Sequence, residues 1–547
     1  MIRRTALLIA FYALMADTPP ATFVNIAGAA GLKDVIVSGG MPKKYVLEVN
    51  GSGACWLDYD NDGLLDLYLV NGSTIAALQG KTRPPGSNHL YRNNGNRTFT
   101  EVTAKAGVPG RGWGFGCVAA DYDNDGFADL FVSNFGENVL YRNRGDGTFA
   151  DVTRQAGVGG GEIWHAGAAF GDYDRDGDLD LFVPGYLAFD IKHPELKTCE
   201  YQGVKVNACG PVGYIGAPDL LFRNNGDGSF TDVTSAARVT DAKLYFGFQA
   251  VFEDFDNDGW PDLFVGNDSN PNYFYRNRKD GTFEEMGVRS GVALNVDGKE
   301  MSSMGVAVGD YDHDGLMDLF VTTFAADNYV LFHNDGKGFF SDVSFESGVG
   351  EPTVPYLGWA TGFLDYDNDG HLDLFCANGH VYPEVTGVLQ ETFLQPLQLL
   401  RNVGNGKFRD VSGAAGLASL PAMSARGGAI ADFDNDGDLD IVVSILDGRP
   451  VLLENKSENT NWLRLRLTGA KSNRMGVGAR VKVVAGGVTQ YSSLRAGESY
   501  LSSNDPRLHF GLGTATEADV EITWPDGRVQ SLGRVRGNRE IAIQEPR

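Results

Sequence analysis

Apolar and polar positions along the chain fall into short alternating runs separated by turn residues, not into helical stripes. One unit shows the order. A small-residue apolar segment, Gly114-Phe-Gly-Cys-Val-Ala-Ala120, leads into an acidic turn. The runs Leu130-Phe-Val132 and Leu140-Tyr-Arg-Asn143 follow, and then a turn and a last run, Gly145-Asp-Gly-Thr-Phe-Ala-Asp-Val-Thr153. Aromatic and β-branched residues between Asn, Gly and Asp turns predict hairpins, so the unit reads as four short antiparallel strands, one blade of a β-propeller. Six units end in a Phe-x-x-Val-like run, beginning at Phe99, Phe149, Phe230, Phe283, Phe340 and Phe408. A seventh stops near Val451-Leu-Leu-Glu-Asn455 without its last run, and an unclaimed copy, Phe23-Val-Asn-Ile-Ala27, stands near the N-terminus. Pairing that copy with the seventh unit would close the circle and remove both open edges. After Asn455 the repeat ends. Trp462–Leu467 alternates, and Gly476–Val484, Val520–Trp524 and Glu540–Ile543 read as further strands. The expected fold is all-β: a seven-bladed β-propeller with a C-terminal β-rich, sandwich-like domain.

The acidic turn recurs seven times, about 51 to 82 residues apart, always as D-[YF]-D-x-D-G-x-x-D. Its carboxylates are Asp58, Asp60, Asp62 and Asp66 in the first copy, and Asp121, Asp123, Asp125 and Asp129 in the second. Asp172, Asp174, Asp176 and Asp180 form the third, and Asp254, Asp256, Asp258 and Asp262 the fourth. The fifth has Asp310, Asp312, Asp314 and Asp318, the sixth Asp365, Asp367, Asp369 and Asp373, and the seventh Asp432, Asp434, Asp436 and Asp440. Alternate side chains of a tight loop converge, and the glycine permits the positive φ that a sharp turn requires. Hard oxygen ligands in this number suit Ca²⁺; Mg²⁺ demands stricter octahedral geometry, and the donor set lacks the His and Cys that favour zinc. An EF-hand would need Glu at the twelfth position and flanking helices. That position holds Leu69, Val132, Val183, Val265, Val321, Cys376 and Val443, all inside strand-like runs, so the expected site is a β-hairpin calcium loop, about seven per chain. Four carboxylates without a cation would repel one another in every copy.

The net charge of −25 over 547 residues disfavours nucleic acid and anionic membranes as partners. Arg3, Arg4 and the apolar stretch Thr5–Ala16 read as a signal peptide, too short to span a bilayer, and no later segment is long enough to do so. The expected division is residues 1–16 as leader, 17–458 as propeller and 459–547 as C-terminal domain. The expected product is secreted, periplasmic or on the cell surface, with no transmembrane segment, and monomeric. In that setting Cys199 and Cys209, close together in a loop, are expected to pair. Cys55, Cys117 and Cys376 lie in apolar strand-like surroundings and read as buried thiols.

The acidic repeats resemble the FG-GAP or VCBS-type repeats of integrin α-subunit propellers. The resemblance implies Ca²⁺ held by the first, third, fifth and ninth residues and one carbonyl. Asn461-Trp462, Gly476-Val-Gly-Ala-Arg480, Leu508-His-Phe-Gly-Leu-Gly513 and Trp524-Pro-Asp-Gly527 resemble the ASPIC/UnbV domain. Together these features resemble the cartilage acidic protein family and its bacterial relatives, over nearly the whole mature chain. The resemblance says little about the role of the C-terminal domain. Arg464, Arg466 and Arg480 there read as a solvated strand face, not as the aromatic-interleaved basic patch of an RNA binder.

Strand direction places all seven acidic loops on one face. Three long insertions, Asn71–Asn88, Pro184–Asp219 and Asn378–Leu397, fall on the other, where binding usually resides. Trp113, Trp164, His165, Tyr245, Phe246, Trp359 and Arg426 enter from that side and form a candidate ligand face, with Tyr186, Tyr201 and Tyr214 of the second insertion as contact candidates. The expected function is an extracellular binding or adhesion module for protein or glycan. The alternatives are a propeller hydrolase or lyase acting on that same face, with His165, His193 or His380, and a purely structural scaffold. The sequence carries no G-x-S-x-G or H-E-x-x-H.

Overall fold

A computed structural model describes residues 22–457 and 460–547. The expected leader, its cleavage point and the expected domain junction at 458/459 lie outside the described residues. Among those described, seven antiparallel sheets follow one another along the chain, six of four strands and one in which a fifth short strand, Met301–Ser302, is added. The first consists of Ala54–Leu57, Asp66–Leu69, His89–Asn93 and Phe99–Glu101. The innermost strands of the other six are Trp113–Ala120, Ala169–Gly171, Gly247–Glu253, Val306–Gly309, Gly358–Leu364 and Ala425–Ala431. Each touches the next in this order, and the last touches the first, so the sheets stand around an axis as in a β-propeller.

Two repeated side chains join neighbouring sheets. An Asn at or near the end of each third strand donates from Nδ2 to the carbonyl of the second residue of the preceding acidic loop. Asn143 reaches Tyr59 at 2.8 Å, Asn224 reaches Tyr122 at 2.8 Å, and Asn93 reaches back across the closure to Phe433 at 2.9 Å. Asn277, Asn334, Asn402 and Asn455 do the same to Tyr173, Phe255, Tyr311 and Tyr366. The ring of that same second residue packs against the first Phe of a fourth strand. Tyr122 meets Phe230 at 5.6 Å, Tyr173 meets Phe283 at 5.5 Å, and Phe433 meets Phe99 at 5.7 Å between centroids. The Tyr or Phe of the acidic motif therefore serves packing between sheets and the carboxylates serve the loop.

The seventh sheet takes its outer strand from the N-terminal segment. Phe23–Asn25 pairs antiparallel with Val451–Asn455, with Phe23 opposite Asn455 and Asn25 opposite Leu453. The chain then enters a short helix, Ala27–Ala30. Phe23 is buried and stacks toward Tyr366 at 6.3 Å, completing the set of inter-sheet aromatic contacts. Deleting the chain through Ala27 is expected to expose the edge of Val451–Asn455 and to produce concentration-dependent aggregation, read by light scattering. A deletion variant that stays monomeric and melts like the parent would contradict this.

Cys55 and Cys117 are disulfide-bonded, not the two thiols expected, with Cα atoms 6.1 Å apart. Cys55 lies three residues before the first acidic motif and Cys117 four before the second. Because side chains alternate along a strand, this one-residue offset turns them to opposite sheet faces, which meet across the gap between adjacent sheets. Cys376 is a free, buried thiol.

The C-terminal residues form a three-stranded sheet, Leu508–Gly513, Asn461–Thr468 and Arg539–Gln544, and a four-stranded sheet, Val488–Ser493, Arg480–Ala485, Glu517–Thr523 and Val529–Arg536. Leu463, Leu465, Val481, Val483, Phe510, Ile522 and Trp524 fill the core between them. Between the two sheets the chain runs out as a tongue, Ala496–Asp505, along the propeller axis. Its backbone and serine side chains bond to the innermost strand of every propeller sheet. Ala54 and Trp56, Cys117, Phe170, Val306, Thr361, and Gly428 with Ile430 all contribute backbone groups, and Gln249 accepts from Leu501 N through Oε1. The innermost strands are edges, and the tongue supplies the partners they lack.

Candidate metal centres and the opposite face

Each acidic loop is a hairpin whose carboxylates are aimed by backbone N–H groups. In the first loop, Asp58 accepts from Asp62 N at 3.0 Å and from Gly63 N at 2.9 Å. Asp66 accepts from Asn93 N at 2.7 Å and Tyr59 N at 3.2 Å. The first-residue pattern recurs in the second loop at Asp121 and in the seventh at Asp432. The ninth-residue aspartates, from Asp66 to Asp440, are all buried. The third-residue carboxylate is divided. One oxygen is held outward by a cation: Arg92 on Asp60 at 2.7 Å, Arg142 on Asp123 at 2.5 Å, Arg276 on Asp256 at 3.0 Å, Arg401 on Asp367 at 2.8 Å, and Arg97 on Asp434 at 2.6 Å. The other, Oδ1 of Asp60, Asp123, Asp174, Asp256, Asp367 and Asp434, is buried with no hydrogen-bond partner. Asp312 differs: its Oδ1 accepts from Asp314 N at 3.3 Å, and His333 takes the arginine's place at 3.1 Å.

An orphaned, buried carboxylate oxygen at the same position of six loops fits a hard cation and little else. The protonation chemistry agrees. Burial first, and then neighbouring carboxylates, push Asp66 up to about 8, Asp172 and Asp310 to about 7, and Asp121 to about 6. Asp254 and Asp432 also rise to about 7, chiefly through burial. With a dication at the centre these carboxylates would be held ionised. The first, third, fifth and ninth residues are the ones that would hold it.

The C-terminal sheets cover the acidic-loop face. Arg464, expected on a solvated strand face, is buried and donates to Asp432 and, at 3.1 Å, to Glu540. Arg480, expected there too, donates to Asn257 Oδ1 at 2.6 Å and to the Gly315 carbonyl. Arg474 N donates to Asn124 at 2.7 Å, and His509 meets Asn368 at 2.7 Å. Of the three arginines, Arg466 alone is exposed. These residues dock one part of the chain on the other, a role that their alternation could not reveal.

The opposite face is built by the insertions. Cys199 and Cys209 are bonded, closing a short hairpin of Cys199–Tyr201 and Val204–Val206, where no strand was expected. Tyr201 donates to Glu391 at 2.8 Å and Asn207 to Glu384 at 2.7 Å, which ties this insertion to Asn378–Leu397. Gln79 donates to the Ile191 carbonyl at 2.8 Å, tying in the first insertion. Beneath them lies an axial cavity lined by Tyr186, Tyr201, Trp359 and Tyr382, among others.

Most of the expected ligand face lies below the surface. Trp113, Trp164, His165 and Arg426 are fully buried, and Phe246 is buried with them. Trp164 packs on Phe115 at 4.7 Å, and burial lowers His165 to about 3. Arg426 stacks over Trp359 at 4.2 Å and donates only to backbone carbonyls, including Val49 at 2.6 Å. The insertions and residues 46–50 cover these side chains and make them core, so they cannot line an open pocket. Tyr245 stands apart, stacked on Tyr273 at 5.2 Å. Tyr214 lies under Lys197, whose Nζ sits 3.5 Å from its ring. His193 is exposed beside Asp190, and His380 is buried 3.2 Å from Glu391. Asp268, which sequence reasoning passed over, lines the cavity; nothing in its surroundings along the chain separates it from any other turn-flanking Asp.

A model for the FG-GAP-like repeat matches residues 58–132, 121–183, 254–321, 310–376 and 365–443, more than half of the chain, and all seven acidic loops fall inside these stretches. The ASPIC and UnbV model matches residues 469–547. Cartilage acidic protein 1 of Homo sapiens is 30% identical over 299 residues, covering 52% of this chain and 42% of that protein. Integrin alpha-7 of Homo sapiens is 27% identical over 226 residues, covering 39% of this chain and 18% of that one. The chain thus spans less than half the length of the curated relatives it matches. Among solved structures, an Agrocybe aegerita lectin that recognises non-reducing terminal N-acetylglucosamine aligns with a TM-score of 0.38 and 16% identity, covering 72% of this chain and 85% of the lectin. The chain belongs to the FG-GAP-like repeat family and carries an ASPIC and UnbV domain at its C-terminal end.

Proposed function

We propose that this chain is an extracellular, calcium-loaded binding module whose ligand, a protein or a glycan, docks on the face opposite the acidic loops. The observation that carries this reading is the asymmetry of the two faces. One is covered by the chain's own C-terminal sheets through Arg464, Arg474 and Arg480. The other presents tied insertions whose apolar side chains Leu196, Val212, Ile215, Val388 and Leu394 stand exposed, with Val212 among the residues lining a cavity. Exposed apolar residues grouped on one face mark interaction surfaces. Two disulfides suit an oxidising compartment, and no helix of the described residues is long and apolar enough to cross a membrane. Cartilage acidic protein 1 and integrin alpha-7, which match this chain, support the reading by kinship. In it, residues 1–16 are a leader, 17–458 the propeller with about seven Ca²⁺, and 459–547 the docked C-terminal domain of a monomer.

The test is a protein and glycan binding screen with calcium present and after chelation, followed by replacement of Pro184–Asp219 with a short Gly-Ser link. The replaced protein is expected to keep its calcium, to melt lower because Tyr186, Leu187 and Val206 leave the buried cluster, and to lose the ligand found with the parent chain. Undiminished binding would move the ligand site off this face.

A further inference from the structure

The axial cavity has a volume of about 360 Å³ and lies beneath the disulfide-closed hairpin. Six aromatic rings line it in two groups. Tyr201, Phe324 and Tyr382 form one wall, with centroids 5.7, 5.6 and 6.2 Å apart. Tyr186 stacks on Phe248 at 4.3 Å, and Phe248 meets Trp359 edge-on at 6.4 Å, forming the other. Tyr500, near the middle of the tongue, packs on Trp359 at 4.8 Å and on Phe248 at 5.5 Å and so fixes the second group from below.

A single charged residue is among those lining the cavity, and it is Asp268, 7% exposed. Its Oδ2 accepts from Tyr186 Oη at 2.9 Å and its Oδ1 from Ser269 Oγ at 3.0 Å. Ser302 Oγ lies 3.0 Å from Ser269 Oγ. All of these are neutral hydroxyls. The lining includes no Lys, Arg or His, and no cationic side chain acts on the Asp268 carboxyl. Arg426, the nearest buried cation to Trp359, lies behind that ring and is fully buried.

We infer that this cavity binds a small organic ammonium ion, its charge set against Asp268 and its alkyl groups against the aromatic walls. A buried carboxylate without a counter-cation is unfavourable, and a ligand cation supplies the missing charge. Aromatic faces carry negative potential and attract cations, most strongly where water is excluded, and alkylated ammonium groups are the ions best suited to such walls. The volume is that of a small-molecule site, and its makeup of apolar walls with one placed polar group is typical of one. A neutral sugar would use the rings equally well but would leave the carboxylate without its charge partner. The inference goes beyond the proposed docking role, because the cavity can take an ammonium ion whether the rim outside it engages a protein, a glycan or neither.

Calorimetric titration of the full, calcium-loaded chain with choline and with propylammonium tests it, each paired with its neutral isostere in which carbon replaces nitrogen. At least one ammonium probe is expected to bind saturably and at least about tenfold more tightly than its isostere. Asp268→Asn, chosen because it keeps shape and can keep both contacts once one hydroxyl turns to accept from the amide, is expected to remove that preference while leaving the melting temperature near that of the parent. Equal binding of charged and neutral probes, no binding of either ammonium probe, or full binding by a folded Asp268→Asn variant would overturn the inference. If that variant fails to fold, the comparison of isosteres on the parent chain decides alone.

Discussion

Chelating calcium from the purified protein is expected to lower its melting temperature by roughly ten degrees or more, and returning calcium is expected to restore it. A ligand present at 100 times its Kd that binds only the folded state adds about 2.7 kcal/mol per site, and seven loops carry the full carboxylate set. The loops are not peripheral decoration. Each links two strands of one sheet, and its second residue anchors the neighbouring sheet through contacts such as Asn143 to Tyr59 and Phe230 to Tyr122. Loss of loop geometry therefore weakens the joints between sheets. The metal-free protein should also show an inverted pH response. Asp66, Asp172, Asp254 and Asp310 have folded-state pKa values raised to about 7 or 8 by burial, above the ordinary 3.8. Between those values the folded chain binds more protons than the unfolded one, so stability falls as pH rises. The chelated protein is accordingly expected to melt higher at about pH 5 than at about pH 8, while the calcium-loaded protein loses stability on acidification as protons displace the metal. Metal analysis should find about seven ions per chain; fewer than three, with no effect of chelator, would refute the reading.

The parts of this fold that were legible in the sequence are those whose chemistry is local. Four aspartates and a glycine within nine positions converge wherever that loop occurs, so Asp58, Asp60, Asp62 and Asp66 could be read without knowing their neighbours. Period-two alternation fixed the strands, and the missing run after Asn455 exposed the need for Phe23–Asn25. Contacts between repeats were not legible in the same way. An aromatic ring at the position of Tyr59 and an Asn at that of Asn143 recur in every unit, but the partner of each lies one sheet away, and in the Asn93–Phe433 pair the two are about as far apart in sequence as the repeats allow. The Cys55–Cys117 bond left a signal in its one-residue offset from the motif, usable only once the two strands are known to be neighbours. The aromatic face misled for a further reason. Trp113 and Trp164 do point toward the axis, but the insertions and residues 46–50 pack over them, and sequence distance says nothing about such cover.

Least legible was the tongue, because it is held by backbone groups and small side chains. The stretch Ala496–Asp505 has neither strand alternation nor an apolar run, and three of its residues are serines. Its partners are the innermost strands, whose unpaired edges would otherwise ring an open channel. The glycines of those strands acquire a purpose here. A Cβ at Gly53 would overlap the Leu501 carbonyl oxygen, and one at Gly497 would press on the Ala168 carbonyl, so the fit tolerates no side chain on either partner. Gly53→Ala is therefore expected to destabilise the full chain by about 1–3 kcal/mol, as overpacking does. Replacing Ala496–Asn504 with a Gly-Ser segment of equal length should lower the melting temperature further and promote self-association, because it removes Tyr500 from between Trp359 and Phe248 and frees seven inner edges. The decisive comparison is the double variant. With a Gly-Ser tongue the alanine at position 53 has nothing rigid to strike, so its cost should largely vanish and the two effects should fall short of their sum. Chemical denaturation of the four proteins measures this directly. Additive effects would place the strain of Gly53→Ala within the ring of sheets itself and leave the tongue a bystander.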